Sequence, residues 1–148
     1  MVTIHGTCVL VSGIGVLLRG GSGSGKSDLA LRLIDGGARL IADDRVELRM
    51  EHGRLMAAAP EALAGLLEVR GVGILAVSSA GEAEVGLAVD LVPGDRVERL
   101  PDPDTLRLLD AAVPRLALAA FDASTPAKLR LAAAAARTGA LWEVPPPR

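Results

Sequence analysis

Gly20-Gly21-Ser22-Gly23-Ser24-Gly25-Lys26-Ser27 follows directly on the apolar run Gly15-Val16-Leu17-Leu18-Arg19 and opens a stretch that reads as a helix from about Lys26 to Asp35. The octet fits G-x-x-x-x-G-K-[ST] without a mismatch, and a strand before it with a helix after it is the context this motif requires. Glycines let the backbone curl so that several N–H groups aim at phosphate oxygens, and the helix adds the positive end of its dipole. In such loops the lysine reaches the β and γ phosphates and the serine holds Mg²⁺. ATP and Mg²⁺ are therefore the expected ligands, with Gly20, Gly21, Ser22, Gly23, Ser24, Gly25, Lys26 and Ser27 as the nucleotide site. A plain Gly/Ser turn has no need of the Lys-Ser pair, and only two of the sixteen basic residues, Lys26 and Lys128, are lysines. A dinucleotide fingerprint does not fit this spacing. The weaker G-x-G-x-x-A match at Gly71 to Ala76 leads into a strand rather than a helix and is set aside.

Outward from the loop, Gly36-Gly37 supplies a C-cap for the first helix, after which the chain turns back into a strand. Short runs rich in Val, Ile and Leu at residues 8–11, 15–18, 40–42, 46–48, 74–77, 85–92 and 113–119 read as strands bounded by glycine, proline and charged turns. A second helix is predicted from Ser124-Thr125-Pro126, an N-cap followed by a first-turn proline, to about Arg137 before Gly139. Strand, loop, helix, strand is a βαβ opening. Because strands then outnumber helices, the expected fold is an α/β P-loop domain: a mixed sheet with antiparallel portions, flanked by few helices. The expected organisation is one domain over residues 1–144 and a frayed proline-rich tail over 145–148.

Composition narrows the functional classes. The chain has 148 residues, half of them apolar, enough for one substantial core. No uninterrupted apolar run approaches a bilayer span and no leader pattern opens the chain, so a cytoplasmic protein without membrane attachment is expected. Net charge is −2 with scattered basic residues, which leaves no footprint for nucleic acid. The single cysteine, Cys8, cannot form an internal disulfide and reads as a small apolar strand residue.

Phosphoryl transfer also needs a carboxylate near the metal and a group that orients or deprotonates the acceptor. Arg39-Leu40-Ile41-Ala42-Asp43-Asp44 is an apolar strand ending in two acids. Adjacent residues there point to different sides, so one can face the metal and the other the acceptor hydroxyl. Analogy with other P-loop enzymes puts Asp43 on the metal side and Asp44 as base, and which of the two is the base stays open. Glu68 and Arg70 flank Val69, so strand alternation sets both on one face; on their own they read as an exposed cross-strand ion pair. His5 on its own reads as a surface or half-buried residue, and His52 as a surface turn residue.

Taken together, His5-Gly6, the glycine-rich loop, Arg39 to Val46 and Leu67-Glu68-Val69-Arg70-Gly71-Val72-Gly73-Ile74 resemble, in order and spacing, the catalytic domain of bacterial HPr kinase/phosphorylases. The resemblance is strong over about residues 3–77. It implies an ATP-dependent kinase acting on a serine of the phosphocarrier protein HPr of the phosphotransferase system, or of a close relative. It makes Glu68 an Mg²⁺ ligand beside Ser27 and Asp43, places His5 beside the aspartate pair, and gives Arg70 a part in positioning phosphate groups or in holding its turn. It also allows a homo-oligomer. Two departures qualify it: full-length members carry a further domain ahead of the histidine, and where the family has an arginine linked to phosphorolysis this chain reads Ala119-Ala120-Phe121-Asp122-Ala123-Ser124. Kinase activity is thus implied more strongly than phosphorylase activity. A P-loop kinase for another acceptor, and a nucleotide-sensing module that transfers nothing, stay open as alternatives.

Overall fold

The computed structural model describes residues 1–142; the expected tail at 145–148 lies outside them. The chain runs β1 (Val2–His5), β2 (Thr7–Val11), β3 (Ile14–Arg19), α1 (Lys26–Asp35), β4 (Arg39–Ala42), β5 (Arg45–Glu51) and β6 (Arg54–Ala58). It continues through β7 (Leu66–Val69), β8 (Gly73–Ala76), β9 (Ala83–Leu91), β10 (Thr105–Leu108), β11 (Ala111–Leu118) and α2 (Thr125–Arg137). This is the mixed α/β architecture expected from the sequence.

The βαβ opening is present with an insertion. Strands β3 and β4 run the same way on either side of α1, but β2 lies between them, antiparallel to both. On the other edge of β3 stands β9, parallel to it, and beyond that β11, parallel to β9. The local order is therefore β4-β2-β3-β9-β11. β9 also meets β6, antiparallel at its first residues, so the sheet divides there and a second blade of β6, β5 and β1 curls away.

Each face of the central strands has its own core, and β3 shows why its sequence is one apolar run. Leu17 and Leu18 are both fully buried; Leu18 packs towards α1 and α2, while Leu17 packs towards β5 and β6. Successive strand residues point to opposite faces, so a strand covered on both sides has no solvent position to fill with polar residues. α1 contributes Leu29, Ala30 and Leu33 at helical spacing, and α2 contributes Leu129 and Ala133.

The first helix stops where the glycine pair requires. Gly37 lies in the left-handed region with φ of +107°. Its N–H meets the Ile34 carbonyl at 3.0 Å, and the Ala38 N–H meets the Leu33 carbonyl at 3.0 Å, closing a Schellman turn. At the start of α2, Ser124 occupies the N-cap position but makes no side-chain capping bond. Thr125, buried, instead sends its hydroxyl back to the Ala119 carbonyl.

The run at 74–77 forms a strand, but an exposed one: β8 pairs with β7 alone in a hairpin off the main sheet, and Ile74 is 69% exposed. The hairpin is held by the fully buried Leu67 and by the segment after β8, where the Leu40 N–H donates to the Ser78 carbonyl at 2.8 Å. Its turn has Gly71 at φ +85° with the Val72 N–H on the Val69 carbonyl at 2.9 Å. The glycines there serve a hairpin turn, and no helix follows to make a dinucleotide site.

Cys8 lies wholly inside the core between the blades, and burial pushes its thiol up from 9.0 to about 12. Folding therefore holds the proton more tightly than the unfolded chain does, a contribution that is present below 9.0 and is lost as the pH climbs towards 12. Iodoacetamide at pH 8 is expected to leave Cys8 unlabelled in the native protein and to label it fully in urea. Rapid native labelling by mass spectrometry would contradict the burial.

Candidate active site

The parallel strands β3, β9 and β11, together with β4, bring their carboxyl ends to one rim, the edge where α/β sheets place ligands. A cleft of about 420 Å³ opens there. It is lined by residues of the glycine-rich loop and first turn of α1, by His5, Thr7, Asp43 and Asp44, by Glu68, Val69 and Arg70 of the hairpin, and by Phe121. The loop leaves β3 at Gly20 and enters α1 at Lys26 through Gly25, whose φ of +98° and close neighbours both exclude a side chain. A methyl on Gly25 would come within 2.7 Å of the Ala120 Cβ and 2.8 Å of the Phe121 ring. Lys26 is largely buried, and its ammonium donates to the carbonyls of Gly20 at 2.6 Å and Gly21 at 2.9 Å. The lysine thereby draws the first peptides of the loop over the start of the helix.

Asp43 stands at the centre of the polar wall. Its Oδ1 accepts from the Ser27 hydroxyl at 2.8 Å and from the Thr7 hydroxyl at 3.0 Å, and its Oδ2 lies 3.4 Å from the Glu68 N–H. The neighbouring Asp44 turns the other way. It occupies the left-handed region with φ of +69°, and the Arg45 N–H returns to the Asp43 carbonyl at 2.8 Å across it. Aspartate tolerates this conformation better than most residues. The Asp44 carboxylate is thus presented outward, 65% exposed, with its Oδ1 3.3 Å from the His5 Nδ1. His5 arrives there because β1 pairs with β5 in a register that sets His5 against Arg45.

Each residue singled out in the sequence as catalytic or metal-binding lines this one cleft: His5, Lys26, Ser27, Asp43, Asp44, Glu68 and Arg70. Glu68 and Arg70 make no ion pair with each other among the described residues; Arg70 sits in the turn after β7 rather than on the strand. Among the described residues no group of three or more His, Cys, Asp or Glu closes a protein-only cage for an ion. The Ser27–Asp43 pair is nonetheless a hard-oxygen donor set of the kind Mg²⁺ takes when it relies on one or two carboxylates and on substrate phosphates. Thr7 was not anticipated from sequence. It is fully buried, and its role depends on β2 pairing with β4 so that Thr7 lies one step beyond the Cys8–Ala42 pair.

Comparison with known proteins fits this geometry. Residues 1–136 match the family model described as the HPr serine kinase C-terminal domain. The chain belongs to that family. It is 41% identical over 124 residues to the HPr kinase/phosphorylase of Brevibacillus brevis, covering 76% of this chain and 40% of that protein. It is 40% identical over 129 residues to the one from Caldanaerobacter subterraneus, covering 79% and 42% respectively. The chain thus spans about two fifths of the length of these relatives. Among solved structures, the HPr(Ser) kinase/phosphatase of Coxiella burnetii superposes with a TM-score of 0.83 at 26% identity, over 94% of this chain and 92% of that one. Within the family frame, the segment that lacks the expected arginine, residues 119–122, is clamped rather than loose. Arg32 of α1 donates to the Ala120 carbonyl and, at 3.4 Å, to the Asp122 carbonyl, while its Nε holds Asp28 at 3.0 Å.

Truncating Arg32 removes that clamp without touching a core side chain. In Arg32→Ala, hydrogen exchange at the amides of residues 121–123 is expected to quicken by about tenfold or more, as local opening becomes easier, with β3 and β9 unchanged. Unaltered exchange in that segment would show that Thr125 and the sheet hold it alone.

Proposed function

We propose that this chain is an ATP-dependent protein-serine kinase whose acceptor is an HPr-type phosphocarrier, working in the cytoplasm. One observation carries the reading beyond family membership: the lysine and serine of the loop, the Ser27–Asp43 bond of 2.8 Å and the His5–Asp44 pair at 3.3 Å face a single cleft. That is a phosphate cradle, a metal-side carboxylate and an exposed carboxylate within reach of one another, the set phosphoryl transfer needs.

In this reading the backbone N–H groups of residues 20–27 and the Lys26 ammonium hold the triphosphate, exchanging the carbonyl contacts of Lys26 for phosphate oxygens. Ser27 and Asp43, with Glu68 beside them in the cleft lining, would hold Mg²⁺. When bound, that ion neutralises charge building on the phosphate oxygens. Thr7 fixes the Asp43 carboxylate so that its orientation does not depend on the metal. Asp44 accepts the proton of the acceptor hydroxyl as its oxygen forms the new bond to the γ phosphorus and ADP departs. His5 at the far side of Asp44 steadies that carboxylate. Arg70, the one arginine among the described residues that lines the cleft, is placed to meet the transferring phosphate. The ATP-consuming direction is favoured because residues 119–122 bring Phe121 to the cleft and no arginine.

The test is transfer of labelled phosphate from ATP to a purified HPr-type carrier. The wild-type chain is expected to label the carrier on serine. Lys26→Ala should weaken ATP binding together with turnover. Asp44→Asn keeps a residue type that accepts the left-handed turn, and should lower kcat by about 10²- to 10⁴-fold while sparing ATP affinity, the usual scale for loss of a general base. Tight ATP binding without labelling of any acceptor would replace the kinase by a nucleotide sensor, and full activity in Asp44→Asn would remove Asp44 from the base role.

A further inference from the structure

We propose that Phe121 is the nucleobase contact of this cleft, the side chain on which the purine ring of the donor nucleotide stacks; the inference rests on the kinase reading above. Three observations point to it. The first is position along the rim. In the order β4-β2-β3-β9-β11 the loop follows β3, the acids follow β4, and residues 119–122 follow β11. Acids and aromatic are thus carried by strands on opposite sides of β3, each two strands from it, and reach the loop from those two sides. A triphosphate whose γ end faces Asp43 and Asp44 therefore directs its nucleoside end towards Phe121.

The second observation is contact with the loop itself. An added methyl on Gly25 would lie 2.8 Å from the Phe121 Cζ, so the ring rests against the last peptide before α1 while remaining 68% exposed. The third is rigidity. The flanking carbonyls are gripped by Arg32 at Ala120 and Asp122 and by Thr125 at Ala119. A segment fixed through its backbone with one large apolar ring left in the cleft is preorganised for a flat partner, and preorganisation spares the ordering cost of binding. Among the described residues the rest of the apolar lining, Leu31 and Val69, has no π face. A phenyl ring offers no hydrogen-bonding edge, so it would stack on any purine and tell adenine from guanine poorly.

The experiment measures calorimetric affinities of ATP, GTP and inorganic tripolyphosphate, each with Mg²⁺, for the wild-type chain and for Phe121→Ala, Phe121→Leu and Phe121→Tyr. Loss of the ring should weaken ATP and GTP alike by roughly tenfold, within the range measured for base–aromatic stacking, and leave tripolyphosphate unchanged. Phe121→Tyr should keep wild-type affinity, and Phe121→Leu, which retains apolar bulk, should behave like Phe121→Ala. In the bound state the adenine H2 and H8 resonances should shift upfield in the wild type and Phe121→Tyr, and not in Phe121→Leu. Unchanged ATP affinity in Phe121→Ala overturns the inference, and so does an equal loss for tripolyphosphate, which would make the ring a support of the loop. A raised KM for the carrier protein at unchanged ATP affinity also overturns it, because the ring would then anchor the acceptor. A wild-type chain that binds neither ATP nor tripolyphosphate would sink the kinase reading and this inference together.

Discussion

The Asp43 carboxylate is the constraint on which the cleft depends. It takes hydrogen bonds from Thr7 on β2, Ser27 on α1 and the amide of Glu68 on β7, three elements far apart in sequence. A half-buried carboxylate needs such donors, since its charge is costly to remove from water unpartnered. The first turn of α1 adds the positive end of the helix dipole on the same side. One anion therefore sets the distance between the phosphate loop, the β4–β5 turn and the β7–β8 hairpin, and each wall of the cleft inherits its place from it.

A second set of charges fixes the opposite side. Asp90 near the end of β9 is the register partner of Arg19, the last residue before the loop, and lies 3.1 Å from its guanidinium. Asp90 also accepts from Arg115 on β11 at 2.8 Å. Three parallel strands are thus tied through Asp90, β3 and β9 near their carboxyl ends and β11 from Arg115 in its middle, on the side where β3 delivers the loop and β11 delivers residues 119–122. Like the Asp43 cluster, this one joins neighbours that differ in sequence position by dozens of residues. Ion pairs at such partly exposed sites contribute little stability singly. Their value here is register: they hold the aromatic segment in a fixed relation to the loop.

How much of this was legible in the sequence follows turn chemistry closely. The loop, α1 with its glycine stop, and the doubly buried strands announce themselves by motif and by apolar runs. Strand β6 did not, although His52-Gly53 joins it to β5 with both residues at positive φ, +52° and +78°, the two-residue turn that suits a hairpin. Strand β10 gave no signal at all, because its turn to β11 places Leu109 at φ +52°, a position that ordinarily takes glycine. The residues singled out by motif and by family resemblance line the cleft, while Thr7, also in its lining, was not singled out. Thr7 reaches Asp43 only through strand register, which no local pattern encodes. Phe121 showed in the sequence as a departure at residues 119–124, while its place beside Gly25 comes from the β9–β11 pairing and the Arg32 clamp.

The aspartate pair shows how a correct expectation can rest on an incomplete cause. Alternation along an extended strand predicts that Asp43 and Asp44 face opposite sides, and they do. Yet β4 ends at Ala42, so neither residue is in regular strand geometry. Their divergence comes from the left-handed backbone at Asp44, held by the Arg45 N–H on the Asp43 carbonyl and by the Gly6 N–H on the Asp44 carbonyl at 3.1 Å. A residue in that conformation is under pressure to be Gly, Asn or Asp for steric reasons alone. Of these three only aspartate brings a charge that His5 can face. The position therefore answers to two demands at once, a backbone that must reverse between β4 and β5 and a carboxylate that must stand free of the Asp43 network. On the proposed kinase reading, the second demand explains why glycine, the easier choice for the turn, is not there.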